Sequence, residues 1–182
     1  MGFLRSLFSD KGKTHDLNQT QDRYAAGRTE QIAVPLGSPF DLSLFVAAAR
    51  AKYGRRKTAV MAAAALEVAK LIDNSFDTRQ VRCMVPASEF EAYDGEEAFP
   101  LHFVFSEGSV PKVAVAIVTH DGYKTPRVLA AKAVCERSGV AYLRVYADGT
   151  YADWITSRRC AAEHVEWCKS LIVKRIKDNM QQ

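Results

Sequence analysis

No apolar run in this sequence is long enough to cross a bilayer. The longest, "TAVMAAAALEVA" and "VAVAIV", fall well short of the ~20 residues of a spanning helix, so no membrane span is expected. The opening "MGFLRSLF" lacks the apolar core of a secretory signal, so no leader is expected either. Cysteine is scarce: Cys83, Cys135, Cys160 and Cys168, with no CxxC among them. Without a leader this reads as reduced, mostly structural thiols in a cytoplasmic protein. There is no glycine-rich loop of the P-loop type, which argues against nucleotide hydrolysis. The histidines are His15, His102, His120 and His164, and none belongs to a recognisable Cys–His or Ser–His–Asp signature, so nucleophilic catalysis is unsupported. No internal repeat is visible.

What is present fits one globular domain. The 182 residues are 48% hydrophobic and 25% charged, enough for a real core with some extra segments. Residues 1–35 are polar and turn-rich after a short apolar start, and read as a mobile arm. Gly2 and Ser6 match the myristoylation pattern, but so short a pattern is easily met by chance, and a frayed or amphipathic terminus is the favoured reading. Residues 36–182 read as the single domain.

The net charge of +4 is unevenly spread. Residues 1–60 carry +5, residues 61–110 carry −6 and residues 111–182 carry +5. Basic ends around an acidic middle permit contact with a polyanion without establishing it.

Along the domain, "VPLGSPF" marks a loop. Ser38 or Asp41 can cap a helix "DLSLFVAAARAKYG" that Gly54 would end. A second helix is expected from Thr58, its N-cap, with Val60, Ala64, Val68 and Leu71 recurring at helical spacing. Val81, Cys83 and Val85 alternate as a strand that Pro86 stops. After the acidic loop "SEFEAYDGEEA" come a strand "FPLHFVF", a hairpin-like turn and the strand "KVAVAIVT", apolar on both faces and so expected to be central. A helix over about 125–138 follows, with Thr125 as cap, Pro126 in the first turn and Gly139 as terminator. "VAYLRVY" is then a strand parallel to the one before. The last helix, about 157–178, carries an apolar stripe of Ala161, Val165, Cys168, Leu171 and Ile172. The expected class is α/β, with a mixed central sheet of about four strands flanked by helices.

The order helix, strand, strand, strand, helix, strand, with "ALEVAKLI", "PLHFVF", "VAVAIVTHDG" and "RVLAAKAVCERSGVAYLRVY", resembles the core of the PD-(D/E)XK nuclease-like superfamily, in particular a small bacterial branch of unknown function. The likeness spans about residues 58–146 and implies a restriction-endonuclease-like core. It also implies where an active site would lie, and there this chain departs. His102 and Val118 stand where the resemblance implies metal-binding acids. Thr119 stands at the position that often holds the motif lysine. Val128 and Ala131 replace an aspartate and a lysine at the helix start, with Lys132 one position further on. Glu67 is kept. Mg²⁺ in such sites needs hard oxygen ligands, which valine cannot supply and neutral histidine supplies poorly. The implied reading is a catalytically degenerate, pseudo-nuclease domain that needs no cofactor and acts by binding DNA, RNA or a protein partner. The alternative is a Mg²⁺-dependent nuclease with relocated acids, for which the candidates are Glu67, His102, His120, Asp121 and Lys124, with Glu89 and Glu91 nearby. Against that alternative, Asp121-Gly122 reads first as a turn.

Three further constellations stand out by residue chemistry. Cys160, His164 and Cys168 lie at i, i+4 and i+8 of the last helix, but the outer two are ~12 Å apart along its axis, too far for one zinc ion. Packing is the better reading, and no metal site is assigned. His102 and His120 could meet at neighbouring strand ends, although structural roles are favoured. The run "ARAKYGRRK" sets Arg50, Lys52, Arg55, Arg56 and Lys57 around Tyr53. Arg158, Arg159, Lys169, Lys174, Arg175 and Lys177 make the last helix basic. Cations around an aromatic suit phosphate contact and base stacking, so Arg50–Lys57 is the candidate nucleic-acid surface. The oligomeric state is not legible in the sequence.

Overall fold

The computed structural model describes residues 38, 40–149, 152, 154–155 and 161–182. The expected arm over 1–35, with Gly2, Ser6 and His15, lies outside the described residues, as do Arg158, Arg159 and Cys160.

The first helix, α1, spans Ser43–Asp73. Asp41 serves its start, accepting the Ser43 N–H at 2.9 Å. The two expected helices meet end to end at Gly54, where the first stops as expected; what is corrected is the linker between them and the Thr58 cap. Gly54 interrupts α1 at φ 69° and ψ 175°, a conformation essentially reserved for glycine, and the helix resumes directly after it. Thr58 is therefore inside the helix, where its hydroxyl donates to the Gly54 carbonyl at 2.7 Å instead of capping. The buried face of the second half is Met61, Ala65, Val68 and Ile72. Val60, expected on that face, is 40% exposed.

The sheet has four strands in the order β1-β2-β3-β4: β1 Val81–Val85, β2 Leu101–Glu107, β3 Val110–Val118 and β4 Ala141–Tyr146. The first three pair antiparallel, and β3 and β4 are parallel from Val113↔Ala141 to Val118↔Tyr146. The right length of crossover between them is supplied by α2, Pro126–Arg137, whose exit is turned by Gly139 at φ 70°. This is the mixed four-stranded α/β sheet with flanking helices that the apolar pattern predicts.

Side chains alternate across β3. Val113, Val115 and Ile117 face the core shared with α1 and α3, and Ala114, Ala116 and Val118 face α2. Burial on both sides marks β3 as central. The expected alternation fails in β1: Val81 and Cys83 lie on the α1 side and Val85 on the other. The cause is Met84, whose φ of 55° turns the strand over between them.

The last helix, α3, spans Ala162–Met180, starting later than expected. Its core contacts are Val165 and Ile176, with Cys168 and Ile172 half-buried. Leu171, expected on this stripe, is 37% exposed and Ala161 is exposed too, because the buried line runs through Val165, Cys168, Ile172 and Ile176. No helix among the described residues is long and apolar enough to cross a membrane.

Candidate functional site

The parallel strands end together, and the segment "THDGYKT" turns from β3 into α2. Gly122 and Tyr123 both donate backbone N–H groups to the Thr119 carbonyl, at 3.0 and 3.2 Å, and Thr125 N–H donates to the Gly122 carbonyl at 3.2 Å. Asp121-Gly122 is thus a turn, but glycine is required for space. A Cβ on Gly122 would collide with Thr119 Oγ1 and come within 3.2 Å of the Tyr53 hydroxyl. Bare backbone at Gly122 is what lets α1 approach the strand end.

That approach delivers the basic run. Lys57 pairs with Asp121, which stands 64 residues away in sequence. The ion pair, then the Thr119 hydroxyl, hold the exposed Asp121 carboxyl below its ordinary range. Lys52 Nζ donates to Thr125 Oγ1 at 3.0 Å and lies 4.4 Å from the Phe99 ring centroid and 4.9 Å from that of Tyr53. Burial, then the charge on Arg127, lower the Lys52 amine to about 8. The two ring faces act the other way, since their quadrupoles favour the ammonium form. Burial raises the Tyr53 hydroxyl, and the charges of Asp121 and Asp148 add to the rise against a bond from Thr119. Thr119 Oγ1 is buried and has no partner of full hydrogen-bond geometry, yet it lies close enough to act on both Tyr53 and Asp121. Arg50, Arg55 and Arg56 are exposed along the same helix.

Beside this corner lies an aromatic group. Tyr123 and Tyr146 meet edge to face at 5.9 Å, and His120 lies 6.4 Å from Tyr123 and 6.5 Å from Tyr146. The His120 backbone N–H donates to Asp148 Oδ1 at 2.6 Å. Arg144 from β4 and Lys124 from the turn lie over the Tyr123 ring, at 5.1 and 5.3 Å from its centroid. Tyr146 and Asp148 are absent from the sequence-based candidates because "YLRVYADG" reads as a strand running into a turn. The signal that could have found them is the parallel register, which sets Val118 beside Tyr146.

The other candidates do not gather here. His102 is 1% exposed, its ring 4.7 Å from Phe45 and 5.5 Å from Phe99. Its Nδ1 accepts the Ile117 N–H at 2.7 Å, so Nε2 carries the proton, and Nε2 has no acceptor. Burial, then the charge on Lys52, push its pKa down to about 3. His102 and His120, for which structural roles are favoured over a meeting, do not come together, because His102 is sealed in the core. Val118 is buried against Val128. Glu67 pairs with Lys70 and, at 3.9 Å, with Lys169 of α3. It lies ten residues beyond Lys57 along α1, ~15 Å at helical rise. Glu89 pairs with Arg82, and Lys132 with Glu136. On α3, Cys168 Sγ lies 3.6 Å from His164 Nε2. Among the described residues no group of three or more His, Cys, Asp or Glu is placed to hold a metal ion. Cys83 and Cys135 are free thiols, with burial raising Cys83 to about 11 and Cys135 to about 12.

No protein-family model, curated protein or solved structure matches this chain.

Proposed function

We propose that the chain is a cytoplasmic nucleic-acid-binding module, a nuclease-like core in which the metal-holding acids have been replaced. The observation that carries this reading is convergence of positive charge. Lys52 and Lys57 from α1, Lys124 from the turn and Arg144 from β4 stand around one strand end. Arg50, Arg55 and Arg56 continue the same surface. In open α/β sheets the carboxyl end of parallel strands is the usual ligand site. Cations gathered there release condensed counterions from a polyanion, which drives binding. The resemblance to nuclease-like proteins points the same way. Val118 and His102, both buried, give that core no acids at the implied metal positions.

Titration of labelled DNA and RNA at several salt concentrations tests the reading. Binding is expected to weaken steeply with salt. Replacing Arg50, Arg55 and Arg56 with Ala lowers affinity and reduces the log–log salt slope by about 0.9 for each phosphate no longer neutralised. Unchanged binding in that variant rejects the surface. A second reading has one observation in its favour: Asp121 and Asp148 stand just past the ends of adjacent parallel strands. Mg²⁺- or Mn²⁺-dependent cleavage that disappears in Asp148→Asn would replace the binding module with a nuclease of relocated acids. Capture of a protein partner, with no nucleic-acid binding at low salt, would make it an interaction module.

A further inference from the structure

We infer that the ends of β3 and β4 form a site for an unpaired nucleotide, so that the chain selects single-stranded over duplex nucleic acid; this rests on the nucleic-acid reading and names its ligand. The basic run explains attraction to any polyanion. Beside it, Tyr123 and Tyr146 pack against the cluster of Phe99, Ala116, Val118 and Val128 yet stay part-exposed, with the exposed His120 next to them. His120, Tyr123 and Tyr146 lie within 6.5 Å of one another, centroid to centroid. Their backbones are held in place. The His120 N–H is bound by Asp148, the Tyr123 N–H by the Thr119 carbonyl, and Tyr146 is the last residue of β4. A stacking surface on fixed backbone loses little freedom when a base lands on it.

The ring of Tyr123 is the centre of the group. Its neighbours over the ring are the Lys124 ammonium and the Arg144 guanidinium, both on exposed residues. Long cationic side chains can leave a ring for a phosphate while a base takes their place on its face. Phosphate contact and base stacking are then supplied by the same few residues, the combination that single-strand binders use. A duplex hides its base faces within the stack and would meet only the cations. The nearby carboxylates are already engaged, Asp121 by Lys57 and Asp148 by the His120 N–H, which reduces their repulsion of phosphate. Every base has a π face, so the site recognises unpaired bases without a marked sequence preference.

The experiment is fluorescence anisotropy of the full chain at low salt with labelled single strands of about 20 nucleotides, longer than one site, and the matched duplex. The single strand is expected to bind at least ~10-fold tighter than the duplex. Tyr123→Leu should weaken single-strand binding about 5- to 150-fold and duplex binding much less, while Tyr123→Phe, which keeps the ring, should retain most of the single-strand preference. Should Tyr123→Leu lack a cooperative thermal transition, the exposed His120→Ala carries the same expectation in direction. Equal affinity for strand and duplex, or single-strand binding untouched in both variants, overturns the unpaired-nucleotide site and leaves the basic surface standing. No binding of either probe overturns both.

Discussion

His102 occupies a place where a strand ladder runs out. The β2–β3 pairing extends to Phe103↔Val115, and beyond it the Ile117 N–H is taken by the His102 ring. The imidazole serves there only while neutral, because protonation at Nδ1 would turn its acceptor into a donor facing another donor. Burial and Lys52 depress its folded-state pKa to about 3, against an ordinary value of 6.5. Between those values the unfolded chain binds a proton that the folded chain refuses. Stability from this group is therefore whole above pH 6.5 and declines as the pH falls toward 3, at up to ~1.4 kcal/mol per pH unit. His102→Leu removes that slope. At pH 7 it also leaves the Ile117 N–H without its acceptor, a cost of about 1–3 kcal/mol that loss of the orphan Nε2–H partly offsets. Urea unfolding of both chains at several pH values between 4 and 7 measures the difference. Parallel curves would show that His102 titrates normally in the fold.

At the scale of the element, the break in α1 is what places the basic run. Gly54 has open space around its missing Cβ, so the constraint on it is backbone conformation alone. Gly54→Ala is expected to cost about 1–3 kcal/mol of stability or to straighten the helix and draw Lys52 and Tyr53 off the strand end. A lower Tm with weaker nucleic-acid binding is the expected result, and a Tm and affinity matching the unaltered chain would show that the kink is dispensable. The strands and α2 were legible because their signals are local: an apolar period, Pro126 in the first turn, Gly139 at the exit. Helix faces were read less well. Val60 and Leu171 are apolar at nearly the right spacing, but which neighbour meets the core depends on where the helix is docked. Met84 gives no sequence sign that it adopts a positive φ. The site was legible in parts. "THDG" and "ARAKYGRRK" could each be named from sequence, whereas the pairing of Lys57 with Asp121 across 64 residues is a product of the tertiary fold. Tyr146 and Asp148 were hidden behind an ordinary strand-to-turn pattern.

Across the whole molecule the acidic middle is partly neutralised at home. Glu97 and Asp94 pair with Arg127 and Arg137 of α2, and Glu89 pairs with Arg82 of β1. These pairs occupy Glu89, Asp94 and Glu97 of the β1–β2 loop. The core is less evenly shared than the charge. One sheet face is covered by α1 together with α3, and Ile176 of α3 belongs to the same cluster as Met61, Phe103 and Val113. Removing residues 162–182 should therefore uncover that face. The expected result is loss of a cooperative thermal transition and strong binding of a hydrophobic dye; a truncated chain that melts cooperatively would show that α3 is not needed to cover the face.

Because α1 and α3 lie far apart in sequence but share one sheet face, the order of synthesis matters. A ribosome releases β1 to β4 and α2 before α3, so the hairpin and the parallel pair can form while one face still lacks its last cover. At translation rates of about 5–20 residues per second, the ~30 residues from Tyr146 to Ile176 take roughly 1.5–6 s. For those seconds the chain is without α3, and of the described helices only α1 covers Phe103, Val113 and their neighbours. This is the interval in which a chaperone has a surface to hold, and in which neighbouring chains on one message have a surface to share.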